Sequence, residues 1–152
     1  MKILKKSHLT IGLQAAALAL IDQLLKWFAE SHFQPAINLT SWFSLRYEKN
    51  PGIAWSIPVP YSLLLIINVI LLILLPLFIA KNLDIRTGKA QLFLSFIIGG
   101  ALGNLIDRLT RGYVIDYISV GSFPVFNLAD ALLTIGIFLI IVFYGKIKRV
   151  HH

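Results

Sequence analysis

Four apolar stretches, at roughly residues 9 to 29, 61 to 80, 91 to 108 and 125 to 144, constrain this chain more than any other feature. A helix rises about 1.5 Å per residue, so each stretch is long enough, or nearly so, to cross about 30 Å of hydrocarbon. With 57% hydrophobic and 14% charged residues, the composition is not that of an ordinary soluble globule. The expected fold is an all-α polytopic membrane protein with four transmembrane helices. The basic start MKILKK and the apolar run after it imitate a secretory signal peptide. The run is long, no convincing small-residue cleavage site follows, and three more spans come later, so the first helix is expected to be retained.

Where the basic residues sit matters more than the net charge of +7. Lys2, Lys5 and Lys6 precede span one, Lys81, Arg86 and Lys89 lie between spans two and three, and Lys146, Lys148 and Arg149 follow span four. With four spans, these three segments fall on one side. The positive-inside rule makes that side cytoplasmic and puts both termini there. Topology accounts for the charge, and no nucleic-acid partner is expected. The chain has no cysteine, which excludes a thiol nucleophile, and His8, His32, His151 and His152 form no helical metal-ligand pair. Neither metal nor cofactor is expected. No internal repeat or linker divides the chain, so residues 1–152 are read as one membrane-embedded domain.

Of the seven acidic residues, Asp107, Asp116 and Asp130 fall in one stretch between apolar segments, GNLIDRLTRGYVIDYISVGSFPVFNLAD. A carboxylate near hydrocarbon is costly unless paired, hydrated or neutralised, so such a cluster marks a candidate functional site. In span three Gly99, Gly100 and Gly103 permit close approach of a neighbouring helix or a substrate chain. At 100° per residue, Asn104, Asp107, Arg108 and Arg111 fall within an arc of about 100°, with Arg108 over Asn104. Asp107 is followed by Arg108 and reaches Arg111 at i+4, which makes it a paired anion and a structural brace. In span four Asn127, Asp130 and Thr134 form a second polar stripe. Span one carries Asp22 and Lys26, four apart on one helix face and about 10 Å inside its outer end. They are read as a buried structural pair or as groups close to substrate.

The external segment, about 30 to 60, mixes β-branched, aromatic and polar residues in INLTSWFSLRYEKN, which predicts one or two short strands at the membrane surface. Asn50, Pro51 and Gly52 mark a turn, and Trp42, Phe43 and Trp55 suit the headgroup level. Span two is almost uniformly aliphatic and lipid-facing; Asn68 is expected to bond to another helix and Pro76 to kink its own. The polar ends of spans one, three and four all lie toward the external leaflet.

Asp116, in GYVIDYIS, and Asp130, in FNLADALL, lack basic neighbours within four positions. Two carboxylates about 3 Å apart cannot both ionise readily and tend to hold one proton between them. The ionised member can deprotonate a water that attacks a peptide carbonyl, and the protonated member can stabilise the oxyanion. On pattern alone, two such aspartates equally fit a small proton-coupled membrane transporter. That alternative predicts polar residues continuing to the cytoplasmic side, where spans two and four have almost none. A purely structural subunit leaves Asp116 and Asp130 unexplained, and a serine–lysine peptidase using Lys26 with Ser119 or Ser122 lacks a positioned serine.

The motifs Asn50-Pro51-Gly52-Ile53-Ala54-Trp55, Gly103-Asn104-Leu105-Ile106-Asp107-Arg108, Val114-Ile115-Asp116-Tyr117 and Phe126-Asn127-Leu128-Ala129-Asp130 together resemble the lipoprotein signal peptidases, or signal peptidase II family. Order, length and four spans resemble the family over nearly the whole chain. The resemblance implies a multi-pass aspartic endopeptidase of the bacterial inner (cytoplasmic) membrane, with its site toward the periplasmic face. Its substrates are membrane-anchored prolipoproteins carrying a diacylglyceryl cysteine, cut just before that cysteine, and membrane lipid surrounds them. By resemblance Asp116 and Asp130 are the catalytic dyad. Asn50, Gly52, Asn104, Arg108 and Asn127 line or brace the site, with Asp22 and Lys26 in support, and globomycin is an expected inhibitor.

Overall fold

The computed structural model describes residues 2–52 and 59–149. The motif residues Ile53, Ala54 and Trp55, and His151 and His152, lie outside the described residues. The chain runs α1 (Lys2–His32), β1 (Ile37–Asn38), β2 (Phe43–Asn50), α2 (Tyr61–Val69), a π-helical turn (Ile70–Leu74), α3 (Leu75–Asn82), α4 (Gly88–Arg111), β3 (Val114–Val120) and α5 (Leu128–Ile147). Among the described residues, four segments are long and apolar enough to cross a membrane: Lys5–His32, Tyr61–Asn82, Gly88–Arg111 and Leu128–Ile147.

The helix α4 packs between α1 and α5 and is the most buried of the four. Its glycines explain how. A Cβ on Gly100 would collide with the Ala129 carbonyl of α5, and one on Gly103 would stand 2.5 Å from the Asp22 carboxylate of α1. Only glycine lets both helices approach this closely. Far from that contact, Leu83, Ala90, Phe93, Ile97, Ile140 and Ile147 close the other end of the bundle with an apolar cluster.

The second span departs from a plain α-helix where the sequence predicts a kink. Pro76 has no N–H to donate to residue 72, and its ring crowds that carbonyl. The helix widens just before it: the Leu75 N–H bonds to the Ile70 carbonyl, five residues back, closing the π turn. Most large side chains of this span, Leu63, Ile66, Val69, Ile73, Leu74 and Phe78 among them, are exposed on the helix surface, as expected of a lipid-facing span.

The strands form one antiparallel sheet in the order β1-β2-β3. The sequence pattern places strands only in 30 to 60 and leaves 114–120 as a link between helices. Val114, Ile115, Asp116 and Tyr117 are all buried, so the polar/apolar alternation that marks a half-exposed strand is missing. Gly112, at φ +80°, ends α4 and turns the chain into β3 within three residues. Ile115 and Tyr117 pack with Ala29 and Phe33 at the end of α1. Successive strand residues face opposite ways, so Asp116 points to the other face. The Leu45 and Glu48 registers, opposite Ile118 and Asp116, leave one extra residue on β2, a bulge that sets Glu48 directly across from Asp116.

Candidate active site

Two groups of carboxylates stand side by side at this end of the bundle, with Asp22, Asp107 and Asp116 buried and Asp130 half-buried. In the first, Lys26 lies fully buried and spends all three ammonium donors, on Asp22 Oδ2 (2.8 Å), Asp107 Oδ2 (2.9 Å) and Asn104 Oδ1 (3.0 Å). Asp22 Oδ1 accepts the Ala129 N–H of α5 at 2.9 Å. Asp107 accepts from Arg111 at 2.5 Å, from Gln23 at 3.1 Å and from the Ile115 N–H of β3 at 3.0 Å. Two cations and two anions cancel, and backbone donors from β3 and α5 are drawn onto them. The cluster ties α1, α4, β3 and α5 together, as expected of a brace.

Two details correct the sequence expectation. Asp107 pairs with Arg111 as the spacing predicts, but its second cation is Lys26, 81 positions away in the chain and invisible to local spacing. Arg108 bonds to neither Asp107 nor Asn104 in these contacts; its guanidinium donates to the Gly52 carbonyl (3.2 Å) and to Asn68 Oδ1 (3.4 Å). Asn68 therefore bonds between helices, as expected, and its partner is a site residue.

The second group is Asp116 and Asp130. Asp116 Oδ1 accepts from Asn127 Nδ2 at 2.7 Å and its Oδ2 from Asn50 Nδ2 at 2.9 Å. The Gly52 N–H holds Asn50 Oδ1 at 3.0 Å, which leaves the amide nitrogen aimed at Asp116. Asp130 Oδ1 accepts from Asn104 Nδ2 at 2.8 Å, and its Oδ2 from the Asn127 N–H at 3.3 Å. Asn127 Oδ1 in turn accepts the Asp130 N–H at 2.9 Å, a reciprocal cap that starts α5 at Leu128. The sequence reading of Asn127 and Asp130 as one helical stripe beginning at 125 is thus corrected: Asn127 is the cap, and its spacing of three to Asp130 was the available signal. Asn127 touches both carboxylates, and Asn104 links Asp130 to Lys26.

Both aspartates line one cavity of about 520 Å³, with Asn50, Asn104 and Arg108 beside them and apolar walls from Leu64, Ile67 and Leu71 and from Leu133 and Ile135. Asp22 and Lys26 do not line it; they stand behind Asn104 and Gly103. Thr134 does. The cavity holds one cation, Arg108, for two carboxylates, so its charges balance when the pair keeps one proton. Burial, and after it the Asp130 charge, push the Asp116 carboxyl up to about 7, against the pull of its hydrogen bonds from Asn50 and Asn127. A carboxyl with that affinity can hold or release a proton near neutrality. Among the described residues, no group of three or more His, Asp or Glu side chains could hold a metal ion.

The chain resembles known proteins over most of its length. A family model described as Signal peptidase (SPase) II matches residues 14–145. The lipoprotein signal peptidase of Rickettsia felis is 35% identical over 164 aligned positions, covering 97% of this chain and 82% of that protein. That of Dehalococcoides mccartyi is 39% identical, over 90% of this chain and 89% of that one. A bacterial membrane enzyme solved by the in meso method at 2.3 Å superposes with a TM-score of 0.77 at 34% identity, covering 90% of this chain and 88% of that one. A transporter is not favoured by any of these. With its four apolar helices, this multi-pass membrane protein belongs to the signal peptidase II family and is a protease.

Proposed function

We propose that the protein is an intramembrane aspartic endopeptidase that removes the signal peptide from diacylglyceryl-modified prolipoproteins, cutting just before the lipid-modified cysteine. The observation that carries the proposal is the sharing of one cavity, one cation and one bridging asparagine by Asp116 and Asp130. The member of the pair that is ionised takes a proton from a water, whose oxygen attacks the scissile carbonyl carbon. The protonated member donates to the carbonyl oxygen as negative charge develops there. Collapse of the tetrahedral intermediate breaks the C–N bond, and the proton taken from the water goes to the leaving amine.

The other residues hold this pair. Asn50 and Asn127 support Asp116, Asn104 supports Asp130, and Arg108, tied to the Gly52 carbonyl, supplies the compensating charge. Asp22 and Lys26 act from behind through Asn104 and through the Ala129 N–H beside Asp130. The apolar cavity walls suit a signal helix and acyl chains. We place the protein in the bacterial inner membrane as a single domain, with both termini cytoplasmic and the sheet at the periplasmic face, consistent with the distribution of lysine and arginine. Globomycin is expected to occupy the cavity and block cleavage.

The test uses purified Asp116→Asn and Asp130→Asn proteins and a diacylglyceryl-modified prolipoprotein. Both variants are expected to fold, and cleavage by each to fall by about 10²–10⁴-fold or more. Retained cleavage in either would sink the dyad assignment.

A further inference from the structure

Two recesses meet at Asp116. One is the apolar cavity between the helices. The other, of about 370 Å³, has no helical wall among the described residues: it is lined by Arg46, Glu48 and Asn50 of β2, Asp116 of β3, and the loop 121–125. The two share Asn50, Asp116 and the residues 123–125. A chain drawn past Asp116 therefore has hydrocarbon-like walls on one side and a polar β wall on the other.

We propose that this second recess binds the hydrophilic polypeptide that follows the scissile bond, and that Arg46 and Glu48 select the charge it carries. This rests on the proteolytic assignment above and extends it to the far side of the cut. A prolipoprotein has the same division: its signal helix and the acyl chains on its cysteine are apolar, and the polypeptide that follows the cysteine is water-soluble. The β2 bulge brings Glu48 opposite Asp116, so a selecting side chain stands at the register of one member of the acid–base pair. Arg46 and Glu48 pair at 3.3 Å with side chains 46% and 41% exposed. An exposed pair of that kind is weak, and each partner readily exchanges it for an opposite charge on a bound chain. The same two residues also border a shallower trough of about 690 Å³ with Glu30, Gln34 and Lys49, which continues the polar track beyond the recess.

The experiment compares two diacylglyceryl-modified prolipopeptides that are identical up to the cysteine and carry either acidic or basic residues in the next few positions. Its readout is the ratio of kcat/KM for the acidic tail to that for the basic tail. Arg46→Glu is expected to lower this ratio about three- to tenfold and Glu48→Lys to raise it by a similar factor. The neutral variants Arg46→Gln and Glu48→Gln should give smaller shifts of the same signs. A ratio that does not move, or that moves the same way in both reversals, overturns the proposal, because a merely structural role scales both tails alike. Failure of the native protein to cleave either peptide instead overturns the proteolytic assignment, and this proposal with it.

Discussion

The Lys26 cluster and the Asp116–Asp130 pair are neighbours linked through Asn104, yet their carboxylates live in opposite conditions. Asp22 and Asp107 are saturated by two cations and by backbone N–H groups, and neither lines the cavity that Asp116 and Asp130 share. Asp116 and Asp130 receive hydrogen bonds from three asparagine side chains and one backbone N–H, and both face a cavity with one arginine. An amide steadies a carboxylate without neutralising it. Burial near a membrane thus has two outcomes in one protein: full compensation makes an anchor, and deliberate under-compensation makes a group that can carry a proton.

The largest expected effect separating the two is catalytic. Asp116→Asn and Asp130→Asn should abolish cleavage by about 10²–10⁴-fold or more while leaving the melting temperature near native. Lys26→Met should instead act first on stability. Removing the cation leaves Asp22 and Asp107 buried without it and should cost about 3–5 kcal/mol, read by thermal unfolding in detergent. Native stability in that variant would show that the cluster is no anchor. Gly103→Ala comes next, at about 1–3 kcal/mol, because its new methyl must displace the Asp22 carboxylate or push α1 away.

The smallest effect is a displacement along the pH axis. Asp116 holds its proton below about 7 when Asp130 is ionised, so the singly protonated pair is lost as pH rises, and kcat/KM should fall on an alkaline limb near that value. Its folded pKa lies above the unfolded carboxylate value. The folded state therefore binds more protons between the two, and stability should decline as pH rises through that window. Asn50→Ala removes a hydrogen bond that favours the ionised form and should move the limb to higher pH. In Asp130→Asn, infrared titration of Asp116 should give a midpoint below that of the native protein but still above 3.8, since burial is the larger cause.

Much of this contrast is legible in the sequence, for physical reasons. The spans follow from length and apolarity, and the division of the acids follows from whether a basic residue lies one helical turn away. Arg111 after Asp107 has that spacing; nothing near Asp116 or Asp130 does. What local spacing cannot show is contact between distant elements. Lys26 on Asp107 and Arg108 on Asn68 and Gly52 need the assembled bundle. The strand β3 escapes because both its faces are covered, and the Asn127 cap because its residues also fit a helical stripe.

Lys26 has a further consequence, which concerns direction. A primary amide is two-ended, an acceptor at oxygen and a donor at nitrogen, and rotating it by half a turn exchanges the two. An ammonium can only give. By facing Asn104, Lys26 admits the oxygen end alone, and the nitrogen is then turned toward Asp130. The same oxygen receives Asn127, whose nitrogen also reaches Asp116. One buried cation thus fixes the orientation of a row of groups that are themselves uncharged. A polarity set in the middle of the bundle arrives at the reacting pair with no charge having moved.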